Sequence, residues 1–422
     1  MKVAEDATSA AARVAREAYG RLVAALSVRF RDVAAAEDAL GDAFAEALAR
    51  WPETGVPASP DAWLLTVAKN QLRQGARHRT MASNPRVLGA LEQALVELSE
   101  QPSEKGDLRL RLLLVCAHPA IDEAVRTPLM LQAVLGLDAA RIARAFLVTP
   151  AAMSQRLVRA KQKIRDAGLP FDEPEPAERL GRMAAVVEAI YAAFAVDHDG
   201  PEVEPGVESL AEEAVYLARV LTELAPNDPE ALGLYALLRL SQARRAAGKA
   251  LDGSFVPLAE QDVARWDRAA ILDANAVLLR AAAFRVPGPF QLEAAIQSAH
   301  CQRLFSGQTP WTAIEFLYAT LNATWPTVAS AVAHAAVLVE LDREVDAQAL
   351  LARVDAARVA EYAPYWVVVS HACRRSGDLA GARDAMTKAI ALTRSPRLRS
   401  YLEATAAGRV EKSVARASTR DG

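Results

Sequence analysis

The stretch that decides the fold is LDAARIARAFLVTPAAMSQRLVRAKQKIRDAG, Leu137 to Gly168. Leu137, Ile142, Ala143, Phe146 and Leu147 fall on one face of a short helix, and Met153, Leu157, Ala160 and Ile164 on one face of a second. Val148-Thr149-Pro150 interrupts the pattern. Thr149 is placed to cap the second helix, and Pro150 suits its first position, where no amide donor is needed. Two short amphipathic helices joined by such a turn form a helix-turn-helix. The second helix carries Ser154, Gln155, Arg156, Arg159, Lys161, Lys163 and Arg165 at its outward positions, opposed by Asp166 alone. These hydrogen-bonding and cationic groups suit base edges and phosphates. A solvated basic surface helix has the same composition, so the reading rests on what surrounds the motif.

The surroundings are helical throughout. Of 422 residues, 52% are hydrophobic and only 6% aromatic, and the abundance of Ala, Leu, Arg and Glu with few β-branched runs predicts an all-α chain. The net charge of −3 is unevenly spread: residues 1 to 170 carry +4 and the remainder −7. The basic surplus therefore lies on the side of the helix-turn-helix. Cys116, Cys301 and Cys373 are far apart and odd in number, which suggests buried thiols and no disulfide framework or metal site. His118, followed by a proline and without ligands at metal spacing, reads as a capping or buried structural histidine. The N-terminus has no apolar signal-peptide core and no later stretch is long and apolar enough for a membrane span, so a cytoplasmic, non-membrane location is expected. No GxxxxGK, nucleophile elbow or HExxH occurs, so no enzyme activity, cofactor or metal is expected.

WPETGVPASP, Trp51 to Pro60, breaks the N-terminal helices; Ser59 then caps a new helix with Pro60 first. SEQPSEKGD, Ser99 to Asp107, reads as a polar linker, and Gly168-Leu169-Pro170 with the acidic FDEPEPAE marks a boundary. Beyond it helices alternate with short breakers. In CRRSGDLAGARDAMTKAIALTRSP, Gly377, Ala382, Ala385, Ala389 and Pro396 are spaced as in a tetratricopeptide repeat, where small residues let paired helices approach.

RFRDVAAAEDALGDAFAEALARWP, Arg29 to Pro52, followed by SPDAWLLTVAKNQLRQGARHR, Ser59 to Arg79, resembles the second conserved region of extracytoplasmic-function sigma factors of the sigma-70 family. The Leu137 to Gly168 unit resembles their fourth region. VCAHPAIDEAVRTPLMLQAVLGL, DVARWDRAAI and GPFQLEAAIQSAH resemble a subgroup with a large C-terminal helical extension. The resemblance implies sigma region 2 over 1–85, a linker over 86–107, sigma region 4 over 108–170 and a tetratricopeptide-like extension over 171–422. It also implies core RNA polymerase, through the β′ clamp helices and the β flap, and promoter DNA as partners, with a regulatory protein or ligand on the extension.

Carried onto matched positions, the resemblance assigns Asp38, Leu40, Asp42, Phe44, Glu46 and Trp51 to polymerase docking, with Leu40, Phe44 and Leu48 as an apolar stripe supporting that helix. It assigns Lys69, Asn70, Arg73, Arg77 and Arg79 to the melted −10 strand, beside core anchors Trp63, Leu64 and Val67. The outward residues Ser154, Gln155, Arg156, Arg159, Lys161 and Lys163 become −35 contacts. Gln74-Gly75-Ala76 and FAVDHDG, Phe194 to Gly200, depart from the family pattern. The competing readings are a helical-repeat adaptor that binds only protein, and a dimeric helix-turn-helix repressor; neither gives the Asp38 to Arg79 segment a nucleic-acid role alongside polymerase.

Overall fold

The computed structural model describes residues 7–83, 108–146, 148–198 and 210–408, excepting the side chains of residues 16–17, 75–83, 144–145, 196–198 and 210. The expected linker 86–107, Leu147, the end of the divergent loop and the side chains of Arg77 and Arg79 thus lie outside the described residues. The fold is all-α: the described elements are helices, with an isolated β-bridge between Lys249 and Phe255. It divides into two compact units, one ending at Ala225 and one running from Pro226 onward.

The first unit opens with a three-helix bundle of α1 (Ala7–Phe30), α2 (Val33–Thr54) and α3 (Pro60–Ser83). Arg31, at φ 53°, turns the chain sharply, and Asp32 caps α2 by accepting the Ala35 amide at 3.0 Å. Gly55, at φ 82°, ends α2 with its amide on the Trp51 carbonyl. Trp51 is buried and meets Trp63 edge to face at 5.6 Å.

Four helices follow: α4 (Arg109–Cys116), α5 (Glu123–Leu135), α6 (Ala139–Ala145) and α7 (Pro150–Asp166). α1 crosses α5 so closely that a Cβ on Gly20 would overlap the Val134 carbonyl oxygen. At the left-handed end of α5, Gly136 approaches the Tyr19 ring in the same way. The chain does break after α7, where Gly168 takes φ 58°. Leu169 and Phe171 are then buried, and α8 (Pro176–His198) packs on α4, α5 and α6. α9 (Leu210–Leu224) packs on α8, with Glu213 paired to Arg141 of α6 at 3.4 Å. The expected boundary near residue 170 is thus a helix stop, and the compact unit continues through it to Ala225.

The second unit is built on α10 (Pro229–Ala243), buried on nearly every face between α11 (Arg268–Ala283) and α12 (Pro289–Cys301). α12 starts at Gly288, which has no capping side chain; Glu230 of α10 supplies the cap by accepting the Phe290 and Gln291 amides at 3.0 and 3.2 Å. Trp266 is buried between the guanidiniums of Arg244 and Arg303. Further helices α13 (Arg303–Ser306), α14 (Trp311–Thr324), α15 (Val328–Glu340), α16 (Glu344–Ala352), α17 (Ala356–Val359), α18 (Ala363–Arg375), α19 (Leu379–Leu392) and α20 (Pro396–Ala406) build successive small cores. α18 and α19 form the tightest of these pairs, with Ala382, Ala385 and Ala389 buried between them.

Two predictions follow from this packing. Gly20→Ala drives a methyl group into the Val134 backbone carbonyl and is expected to lower the stability of the first unit by about 1–3 kcal/mol in urea denaturation. Gly41→Ala, whose Cβ would meet nothing within 4 Å, is expected to stabilise by up to about 1 kcal/mol through helix propensity alone. In the second unit, burial and then the charge of Glu230 push the Glu293 carboxyl up to about 7 from its ordinary 4.5. The folded state therefore holds this proton more tightly than the unfolded chain, and stability is lost as pH rises through about 7. His300, held down to about 4 by burial and by Arg244 and Arg303, acts oppositely and only below pH 6.5. Between pH 6.5 and 8, Glu293→Gln is expected to flatten the pH dependence of thermal unfolding.

Candidate nucleic-acid interface

α6 and α7 pack through Ile142, Ala143, Met153, Leu157 and Ile164, all buried. Between them Val148 donates its amide to the Ala143 carbonyl, and the Thr149 hydroxyl accepts the Ala152 amide at 3.2 Å, with Pro150 at the first helical position. The free N-terminal turn of α7 is thus open, with its dipole favouring an anion. Ser154, Gln155, Arg156, Arg159 and Lys163 are exposed along one side. Val158 stands among them at 58% exposure. Sequence reasoning passed over it because an apolar residue on a helix is assigned to the core by default. On this face it offers an apolar contact for a thymine methyl group.

Lys161 is the exception in the predicted set. Its ammonium lies 2.5 Å from the Glu37 carboxylate of α2 and 3.0 Å from the Gln132 amide oxygen of α5, and both side chains of the pair are only 11% exposed. Lys161 lies four residues after buried Leu157 and three before buried Ile164, so its stem falls on the core side of the helix. Burial raises the pKa of Glu37, with Lys161 opposing that shift. Cys116 and Tyr19 feel the same buried acid, and burial followed by its charge pushes both of their pKa values up. Arg165 adds a looser link to Asp32 at 3.5 Å, and Arg31 one to Asp172 at 3.1 Å.

α2 presents three faces. Val33, Ala36, Leu40, Ala43, Ala47 and Trp51 form its buried stripe, which corrects the assignment of Leu40 and Trp51 to a docking surface: at 0% and 2% exposure they hold the bundle together. Leu48, expected in that stripe, is 47% exposed because Ala47 takes the core position. Asp38, Asp42 and Glu46 recur every fourth residue on a separate face; Asp38 and Asp42 are exposed, and Glu46 pairs with Arg50 at 3.0 Å. Half-buried Phe44 and exposed Leu48 lie beside them. A carboxylate row flanked by apolar surface suits a basic protein partner.

On α3, Leu64, Ala68 and Leu72 face the core, Asn70 is exposed, and Lys69 and Arg73 are half-buried one turn apart. Arg29 of α1 joins them. Burial is the first cause and mutual repulsion the second of the lowered pKa values of Arg29, which faces Arg73, and of Lys69, which faces both. Among the described residues no carboxylate pairs with the three. Arg29 was missed by sequence reasoning because it lies some forty residues upstream in another helix. Like charges gathered without a counterion are costly to the free fold and suit a phosphate backbone.

A family described as Sigma-70 region 2 matches residues 15–81, a span that holds Arg29, Lys69, Arg73 and the acidic row of α2. A Family of unknown function (DUF6596) matches residues 182–282, from within α8 into α11. The chain is similar to "Uncharacterized protein R00370" of Rhizobium meliloti (strain 1021), 34% identical over 389 residues that cover 88% of this chain and 89% of that protein. No solved structure matches. No helix among the described residues is long and apolar enough to cross a membrane.

Removing one cation of the trio separates its two effects. Arg29→Gln is expected to raise the melting temperature of the free protein by relieving repulsion. It is also expected to weaken single-stranded DNA binding, with the slope of log affinity against log salt falling by about 0.7. Fluorescence anisotropy across a salt series reads the second effect, and an unchanged slope rules Arg29 out as a phosphate contact.

Proposed function

We propose that the chain is an extracytoplasmic-function sigma factor of the sigma-70 family directing promoter-specific initiation; the Sigma-70 region 2 match over residues 15–81 supports this reading, and the chain is similar to the R. meliloti protein over 88% of its length. In this reading Asp38, Asp42 and Glu46, with Phe44 and Leu48, dock on the basic β′ clamp helices of core polymerase. Lys69, Arg73 and Arg29 hold the backbone of the melted −10 strand, and Asn70 offers an amide to an unstacked base. α7 enters the −35 major groove, with Ser154, Gln155, Arg156 and Val158 toward base edges and Arg159 and Lys163 toward phosphates. Arg77 and Arg79, whose side chains lie outside the described residues, are assigned to the same strand by the family resemblance alone. The chain performs no bond chemistry in this role; binding free energy opens the duplex and polymerase makes the RNA.

The observation that supports this reading most is the cation trio Arg29, Lys69 and Arg73 within the region 2 match, in one compact unit with the helix-turn-helix. A protein-only adaptor has no use for three cations held together with no carboxylate partner among the described residues, and a dimeric repressor has no use for the acidic row of α2. The helices beyond α9 supply a regulatory arm in this reading; the acidic surplus of the C-terminal part lies before them, in residues 171–225. The test is in vitro transcription with purified core polymerase on a genomic library; absence of initiation anywhere overturns the proposal.

The reading carries a cost for binding DNA. Lys161 and Arg165 are engaged by Glu37 and Asp32, so seating α7 on phosphates competes with α2 for the same helix. Glu37→Gln removes the carboxylate charge and leaves a buried ammonium, which favours release of α7. The expected result is a lower melting temperature together with several-fold tighter binding to a −35 duplex, read by anisotropy. Tighter folding or weaker duplex binding in this variant would show that the pair does not oppose DNA.

A further inference from the structure

A cavity of about 420 Å³ lies within the first unit between the turn joining α4 to α5 and the first turns of α8, and none of the proposed nucleic-acid contacts lines it. Its size falls in the range of small-molecule sites. The space exists because α8 places Ala177, Gly181 and Ala185 at four-residue intervals on the face that lines it. A Cβ on Gly181 would meet nothing within 4 Å.

The polar lining is almost wholly cationic or donating. Arg182 is only 5% exposed; its Nη2 reaches Glu178 at 2.8 Å, while its Nε is buried with no partner. Arg126 uses its Nε on the Ile121 carbonyl at 3.1 Å. The Nδ1 of His118 accepts the Ala120 amide at 3.0 Å, so in the neutral ring Nε2 carries the proton. Burial first, and then the charge of Arg182, hold His118 below its ordinary pKa, with Arg126 adding to the effect. Against these stands one acid, Glu178, whose side chain is 62% exposed. A guanidinium taken out of water needs a full counterion, and a mostly solvated carboxylate one turn away is a weak one.

We propose that this cavity binds the oxyanion of a small molecule, a carboxylate or a phosphate, between Arg126 of α5 and Arg182 of α8, and that Glu178 stands in for it on Arg182 when the site is empty. An occupant bridges the helices leading to α7 with the first helix of the extension. The inference does not rest on the transcription reading, and its test uses no DNA.

The full chain is titrated calorimetrically with inorganic phosphate and, separately, with succinate, against chloride at matched ionic strength. Glu178→Ala removes the internal competitor and is expected to bind about two- to fivefold tighter than the parent chain. Gly181→Leu fills the cavity with a better helix former and is expected to lose binding while its melting temperature holds or rises. Arg126→Met, at a half-exposed position that tolerates substitution, is expected to weaken binding about tenfold. Binding of phosphate alone or succinate alone assigns the headgroup. No binding of either probe at millimolar concentration by the parent chain or Glu178→Ala, or undiminished binding by Gly181→Leu, overturns the site. Weaker binding by Glu178→Ala overturns the stand-in role.

Discussion

The first unit depends on one buried contact, the Lys161 ammonium against the Glu37 carboxylate. Two charges taken out of water are tolerated only when geometry is close and further bonds are made. Lys161 has a second acceptor in Gln132, and Glu37 leaves one oxygen without a partner. The contact therefore ties α2, α5 and α7 at a single point while remaining poorly satisfied on one side. Nearby, the Gly20 approach to Val134 sets the crossing of α1 and α5 by backbone contact, which admits little adjustment. Shape fixes one half of the assembly and charge the other. Of the two, only the charged contact is sensitive to other charges brought near it.

The distribution of unsatisfied charge distinguishes surface from scaffold. Lys161 and Arg182 are cations brought under cover and given acids, whereas Arg29, Lys69 and Arg73 are gathered with none among the described residues. A fold selected for stability alone would separate the trio or insert a carboxylate, since stability margins are small and repulsion is avoidable. The acidic row of α2 is less telling, because exposed carboxylates cost little. Its significance comes from Phe44 and Leu48 beside it, which leave apolar surface in water where Ala47 and Trp51 already complete the core.

Much of this was legible in the sequence. Thr149 and Pro150 carry their capping chemistry locally, so the two short helices and the turn between them could be read from thirty-two residues without knowledge of their neighbours. Leu40 and Trp51 could not be separated from Asp38 and Asp42 in the same way. A resemblance transfers a helix with all its residues, and only packing reveals which of them face inward. Lys161 shows the converse: it is polar and spaced as an outward residue, yet a partner more than a hundred positions away turns it inward. Arg29 and Val158 escaped for related reasons, the first because its companions lie on another helix and the second because apolar residues are credited to cores. The stop at Gly168-Leu169-Pro170 was read as a domain boundary, but a helix stop records backbone geometry and not where side-chain contacts end.

That last difference changes what the C-terminal extension is. α8 and α9 cover α4, α5 and α6 within the same compact unit, Phe171 is buried at their start, and Glu213 reaches Arg141 on α6, the helix preceding α7. The segment matched by the family of unknown function begins at Arg182, inside α8, and runs on into α11. Its sequence is therefore shaped by two cores, that of the unit carrying the helix-turn-helix and that of the unit after it. Cutting the chain near residue 170 strips apolar cover from the helices that support α7, so loss of activity in such a fragment reports damage to the first unit itself. A cut after Ala225 leaves that cover intact. The regulatory question belongs to the residues beyond that point, and the structural one to the helices before it.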